Sequence, residues 1–120
     1  MAFKFESLNV WQKALDLTFE VHSVSRKFPK DELYILTSQI KRAADSVCLN
    51  LAEGSTGQSD PEYCRFVSLA LRSNIEVVGC IFIAQKRSII ASEDFEKIYS
   101  KCEEIHKMII GLRNSLGYRK

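Results

Sequence analysis

Helix-breaking residues are scarce in this chain and grouped, and that grouping limits what it can fold into more than any other feature. The 120 residues hold two prolines and five glycines, and three short breaks are visible. The first is Phe28-Pro29-Lys30-Asp31, where proline lacks the N–H that a continuing helix needs and disfavours helical geometry at the residue before it. The second, Gly54-Ser55-Thr56-Gly57-Gln58-Ser59, ends in a capping box. Ser59 can accept from the amide of Glu62, the Glu62 side chain can reach back, and Pro61 is tolerated in a first turn. The third is Ile90-Ala91-Ser92, with Ser92 as the expected N-cap and Glu93, Asp94 and Glu96 placing negative charge on the positive end of the following helix. Four helices are therefore predicted, over approximately 8–27, 31–54, 60–88 and 93–116.

Each segment carries an apolar stripe spaced by threes and fours, the signature of a bundle seam. The first reads Val10, Ala14, Leu17, Val21, Val24, and the second Leu33, Leu36, Ile40, Ala43, Val47, Leu51. The third reads Phe66, Ala70, Ser73, Val77, Cys80, Ala84, and the fourth Phe95, Ile98, Cys102, Ile105, Ile109, Leu112, Leu116. Short connections oblige consecutive helices to run in opposite directions. The expected fold is all-α, one antiparallel up-down-up-down four-helix bundle, and 46% hydrophobic residues suffice to fill its core. The start has charge before any apolar run, and no uninterrupted apolar stretch of membrane-spanning length occurs. A cytoplasmic protein without a membrane role is expected. The four cysteines have no C-x-x-C or zinc-type spacing. They read as reduced thiols, with Cys80 and Cys102 as small core hydrophobes.

Two helices have more apolar surface than a monomeric bundle needs. Leu8, Trp11, Leu15 and Phe19 form a second stripe on the first helix, well round the cylinder from its seam at about 100° per residue. The third helix repeats this with Val67, Leu71, Ile75, Val78 and Phe82. Two helices with two apolar faces imply a further contact, and self-association is the simplest. The expected oligomer interface comprises Leu8, Trp11, Leu15, Phe19, Leu71, Ile75, Val78 and Phe82. If the two patches meet between neighbours, the contact is head-to-tail and closes into a ring.

Catalytic machinery is not found. A di-iron bundle needs Glu-x-x-His on two helices, and Glu103/His106 is the only such pair; Glu103 points away from the seam. There is no G-x-S-x-G and no Walker-type loop. No enzyme activity, cofactor or metal is expected. On the second helix Arg42, Ser46, Asn50 and Glu53 fall within an arc of about 80° bordering the seam. They suit a register-fixing hydrogen-bond network or the wall of a ligand site. The formal charge is only +2, so any basic surface is local. Arg26, Lys27, Lys30, Lys86 and Arg87 fall at the end of the bundle that also holds Asp31, Glu32, Glu93, Asp94 and Glu96, which suits mutual neutralisation. Arg65, Arg72 and Lys86 stack at heptad multiples along one face, and Arg113, Arg119 and Lys120 form a second group. These six are the candidate phosphate contacts. There is little aromatic interleaving, so sequence-specific stacking on a single strand is not expected.

The run from Arg42 to Ser55, RAADSVCLNLAEGS, resembles the hallmark of the four-helix-bundle proteins encoded in intervening sequences of bacterial large-subunit (23S) rRNA genes. Leu8-Asn9-Val10-Trp11-Gln12-Lys13-Ala14, Phe28-Pro29-Lys30-Asp31-Glu32-Leu33-Tyr34 and Glu62-Tyr63-Cys64-Arg65-Phe66 are similar to other segments of that family, in order and over nearly the whole chain. Arg72 departs from it, standing where the family commonly has Gly before the residue matching Ser73. The resemblance makes Arg42, Ser46, Asn50, Glu53 and Gly54 motif positions. It implies a ribosomal-protein-like homopentamer, a barrel-like ring associated with RNA. The chain is also similar to accessory proteins of diversity-generating retroelements, basic pentamers that bind a reverse transcriptase and nucleic acid. The function expected is a non-enzymatic, oligomeric RNA-associated or adaptor protein, with itself, RNA and a protein as partners; the alternative is an interaction scaffold with no nucleic-acid role.

Overall fold

The computed structural model describes residues 2–57 and 59–118. Among these there are four long helices and no strand: α1 Asn9–Ser25, α2 Ser38–Gly54, α3 Asp60–Lys86 and α4 Ser92–Ser115. At 1.5 Å per residue the 27 residues of α3 span about 40 Å. That matches the longest dimension of the molecule, 43 Å. Consecutive helices pack on one another and α4 closes onto α1, so α1 and α3 lie on one diagonal and α2 and α4 on the other. Cross-helix partners run in opposite chain order. Lys13 meets Glu104 and Glu20 meets Lys97; Ser46 meets Ser73 while Gln39 meets Glu76; Asn74 meets Cys102 while Phe82 meets Phe95. This is consistent with the up-down-up-down order expected.

The α1 seam is buried at every expected position, Val10, Ala14, Leu17, Val21 and Val24. In α4 Phe95, Ile98, Cys102, Ile105 and Ile109 are buried, with Leu112 and Leu116 packed against the core. The α2 seam is correct from Leu36 onward but fails at Leu33, which is 47% exposed. The expected 31–54 helix is not uniform. A 3-10 turn at Lys30–Glu32 leads into a π turn at Leu33–Thr37, and regular α-helix starts only at Ser38. A π turn holds an extra residue per hydrogen-bonded ring, so the period of the seam cannot be extended back through it. Leu33, Tyr34 and Ile35 all face outward, while Leu36 and Thr37 are buried.

Helix α3 has a wider core face than its expected seam. Val67 is fully buried and Leu71 is 8% exposed, because α3 packs on both α2 and α4. Leu71 is thereby removed from the expected oligomer surface. The same burial explains why α3 is long and apolar enough to cross a bilayer by composition. Val67, Ala70, Leu71, Val77, Cys80, Ile81 and Ala84 fill the bundle interior, while Ile75, Phe82 and Ile83 join Arg65 and Arg72 on the outer face.

Two helix ends share one solution. At α4 the amide of Gly117 donates to the carbonyl of Asn114 and that of Tyr118 to Arg113, with Gly117 at φ 82°. At α3 Ser88 donates to Gln85 and Ile89 to Ala84, with Ser88 at φ 60°. Both satisfy the last carbonyls through a residue in the left-handed region, where a Cβ costs about 1–2 kcal/mol. At the other ends, Ser59 accepts from the amide of Glu62 at 3.2 Å as expected. Ser92 does not cap: Ala91 occupies that position and Ser92 is the first helical residue. The charges expected to neutralise one another do so in two pairs. Lys27 donates to Asp94 at 2.9 Å, and Arg87 donates to both carboxylate oxygens of Glu32 at 2.9 and 3.0 Å.

Candidate functional site

The α2/α3 seam gathers the motif residues. Ser46 is half-buried where α2 faces α3, and its Oγ accepts from Ser73 Oγ at 2.8 Å. Asn50, one turn later, donates its amide to both the Ser46 carbonyl and Ser46 Oγ, each at 2.9 Å. Three polar side chains thus form one closed contact between two helices, which fixes their relative height. Gly54 closes the seam at its far end. A Cβ there would lie 2.8 Å from Phe66 Cβ and 3.0 Å from the Tyr63 ring, closer than carbon atoms pack. Burial against this crossing also pushes the Tyr63 hydroxyl pKa up. Ser46, Asn50 and Gly54 therefore hold α2 on α3, while Arg42 and Glu53 are exposed. Nothing among them is arranged as a nucleophile with its base. The departure at Arg72 costs no close approach, since that side chain faces outward.

The candidate phosphate contacts separate into three groups. Arg65, Arg72 and Lys86 are exposed along α3, with the Arg65 guanidinium 4.8 Å from the centre of the Phe66 ring. Arg113 is engaged within the fold. It donates to Ser68 Oγ at 3.3 Å and lies 3.8 Å over the Tyr118 ring. Arg119 and Lys120 lie outside the described residues.

Of the expected interface residues, Leu15 and Phe19 stand out from α1 with 48% and 75% exposure. Leu8 and Trp11 are partly covered, Trp11 by the edge of the Phe5 ring at 4.7 Å. On α3 Ile75 and Phe82 are about half exposed and Val78 is partly buried. Phe82 meets Phe95 and Tyr99 of α4 edge-on, at 5.1 and 6.3 Å. Between α3 and α4 a groove of about 350 Å³ runs past Ile75, Val78, Tyr99, Glu103, His106 and Lys107. Asn74 forms its floor at 1% exposure, donating to the Cys102 carbonyl at 2.8 Å and leaving its own Oδ1 without a protein partner. Glu103 and His106 are exposed on the groove wall. Among the described residues no three His, Cys, Asp or Glu side chains cluster as a metal site.

All four cysteines are free and buried. Burial pushes the Cys102 thiol up to about 12, and burial together with the Glu76 carboxylate pushes Cys80 up to about 11. Burial and then the Asp45 carboxylate raise Cys48. None of these three is poised as a thiolate nucleophile.

Sequence reasoning missed two features, one buried and one at the surface. Asn74 sits among apolar neighbours and gave no polar periodicity to detect. The outward turn of Leu33, Tyr34 and Ile35 depends on a π turn that no residue pattern announces.

Comparison with known proteins converges on one group. The family model described as 23S rRNA-intervening sequence protein matches residues 6–111. A crystal structure of a protein with unknown function from the S23 ribosomal protein family, from Bacteroides thetaiotaomicron, superposes with a TM-score of 0.79. It is 23% identical, and the match covers 87% of this chain and 97% of that one. No curated protein matches the sequence.

Proposed function

Because this chain belongs to the 23S rRNA-intervening sequence protein family, we propose that it works without catalysis, as one up-down-up-down subunit of a cytoplasmic ring that associates with RNA as an adaptor. The observation that carries the assembly is the outer face of α1, where Phe19 is 75% exposed beside Leu15 at 48%. Leaving such side chains in water forfeits about 1.5–3 kcal/mol each relative to full burial. The complementary surface is the α3/α4 groove with Ile75 and Phe82 at its margin. Since α1 and α3 are diagonal in the bundle, the ridge and the groove are different patches on different sides. A contact between them is head-to-tail, and closing it gives a ring; the family resemblance supports five subunits.

Repeating Arg65, Arg72 and Lys86 round such a ring multiplies a modest basic stripe into a field that attracts phosphate. Retention of structured rRNA fragments at low salt, falling steeply as salt rises, is the expected behaviour; no retention at low salt contradicts the RNA association. The scaffold alternative draws support from Arg113, which the fold occupies with Ser68 and Tyr118. It is separated by charge reversal at Arg65 and Arg72, which under that reading leaves partner binding unchanged.

A further inference from the structure

The π turn at the start of the second helical segment builds a surface unlike the rest of the bundle. Its extra residue turns three consecutive large side chains outward, with Leu33 at 47%, Tyr34 at 89% and Ile35 at 58% exposure. The turn is firmly held. Leu36 and Thr37 are buried beneath it, and Arg87 grips Glu32 just before it. Grooves of about 250 and 360 Å³ lie on the two sides of Leu33 and share Leu33, Thr37 and Lys41.

Around these grooves four cations outnumber the one lining carboxylate, Asp45. Arg26 and Lys30 line one, Arg42 lines the other, and Lys41 lines both. Among the described residues no carboxylate comes within ion-pair distance of any of the four. The nearby carboxylates are mostly engaged: Asp45 meets His22 at 3.2 Å and Glu32 meets Arg87, which leaves Asp31. Cations spaced around an exposed ring match a strand whose phosphates alternate with bases. A protein partner seated on Leu33 and Ile35 would instead leave four cations to be desolvated. A duplex offers phosphates but keeps its base faces stacked on one another, so only an unpaired strand uses the ring.

We propose that the Tyr34 turn is a binding site for single-stranded nucleic acid, with Tyr34 stacking on one base and Arg26, Lys30, Lys41 and Arg42 contacting the flanking phosphates. This rests on the RNA association proposed above and gives it a location distinct from the α3 stripe. Four phosphate contacts correspond to a slope of roughly −3 in log K against log salt for a single strand. A base stacked on an aromatic contributes about 1–3 kcal/mol, so its loss weakens binding roughly 5- to 150-fold.

The test is fluorescence anisotropy with an unstructured RNA oligonucleotide, DNA of the same sequence and an RNA duplex, across a salt series. Tyr34→Ala is expected to weaken single-strand binding by that factor with the salt slope unchanged, and Tyr34→Phe to retain it. The pair Lys41→Glu with Arg42→Glu is expected to weaken binding and flatten the slope by at least about 1.4. Preference for RNA over DNA, or equal binding of both, supports the site, the first adding a ribose contact. Duplex binding as tight as single-strand binding overturns it. So does a change of oligomeric mass in Tyr34→Ala, which would make the turn a subunit contact. If wild type binds and these variants match it while Arg65→Glu with Arg72→Glu does not, the location fails and the RNA association stands. If wild type binds no RNA, both fail together.

Discussion

Replacing Gly54 with alanine tests the α2/α3 seam at its tightest point. The added Cβ would sit 2.8 Å from Phe66 Cβ and 3.0 Å from Tyr63 Cδ1. The Tyr63 ring can turn aside, but Phe66 Cβ is fixed to the α3 backbone, so α2 and α3 must separate by several tenths of an ångström. Overpacking of this kind costs about 1–3 kcal/mol. Alanine returns less than about 1 kcal/mol through its better helix propensity, because Gly54 is the last residue of its helix. The net expectation is a loss of roughly 1–2 kcal/mol, a fall in Tm of about 4–10 °C for a domain of this size. Gly111→Ala supplies the control. It lies inside α4 with nothing within 4 Å of its Cβ position, and is expected to stabilise by up to about 1 kcal/mol. Urea denaturation followed by circular dichroism, at one protein concentration for all variants, measures both. A Gly54→Ala protein as stable as wild type would refute the close-approach account of this motif glycine.

Three further outcomes follow from the same contacts. A double-mutant cycle of Ser46→Ala and Ser73→Ala should show a coupling of about 0.5–1.5 kcal/mol in urea denaturation, and additive losses would deny the 2.8 Å bond between them. Ser88→Gly should raise the unfolding free energy by up to about 1 kcal/mol, read as a higher urea midpoint, since it removes a Cβ from φ 60° without disturbing the bonds to Gln85 and Ala84. Cys48, Cys80 and Cys102 set the alkaline limit: burial raises their folded pKa values, so above the ordinary value of 9.0 the unfolded chain releases thiol protons that the folded chain keeps. Stability should be unaffected by them below pH 9 and fall between about 9 and 12, and thiol reagents at pH 8 should react only after denaturant is added.

The helical stripes were readable because a bundle seam repeats the simplest constraint in the chain, a three-and-four spacing that each helix must satisfy to bury anything. Val10 to Val24 in α1 shows that constraint acting alone. Where a second constraint entered, the pattern misled. Leu33 has the right spacing for α2, but the π turn changes the residues per turn just there. The spacing of Val67 and Leu71 points to an outer face only if α3 has a narrow seam, whereas it packs on two neighbours at once. Polar residues bordering a seam were easier: Ser46 and Asn50 could not be half-buried without partners, and Ser73 supplied one. The partner of Gly54 was invisible for a different reason, since a missing side chain leaves no pattern and only the Phe66 and Tyr63 positions reveal what it avoids. The exposure of Tyr34 is equally hidden, because it reads like any helix-start residue until the backbone turns it out.

The central claim is that this bundle is one part of a larger assembly, and its molar mass in solution tests that most directly. Light scattering at micromolar concentration should give a single species at a multiple of the 13.7 kDa subunit, five for the ring the family resemblance implies, and Phe19→Glu should reduce it to the subunit. A stable 13.7 kDa monomer of the wild-type chain would contradict the account.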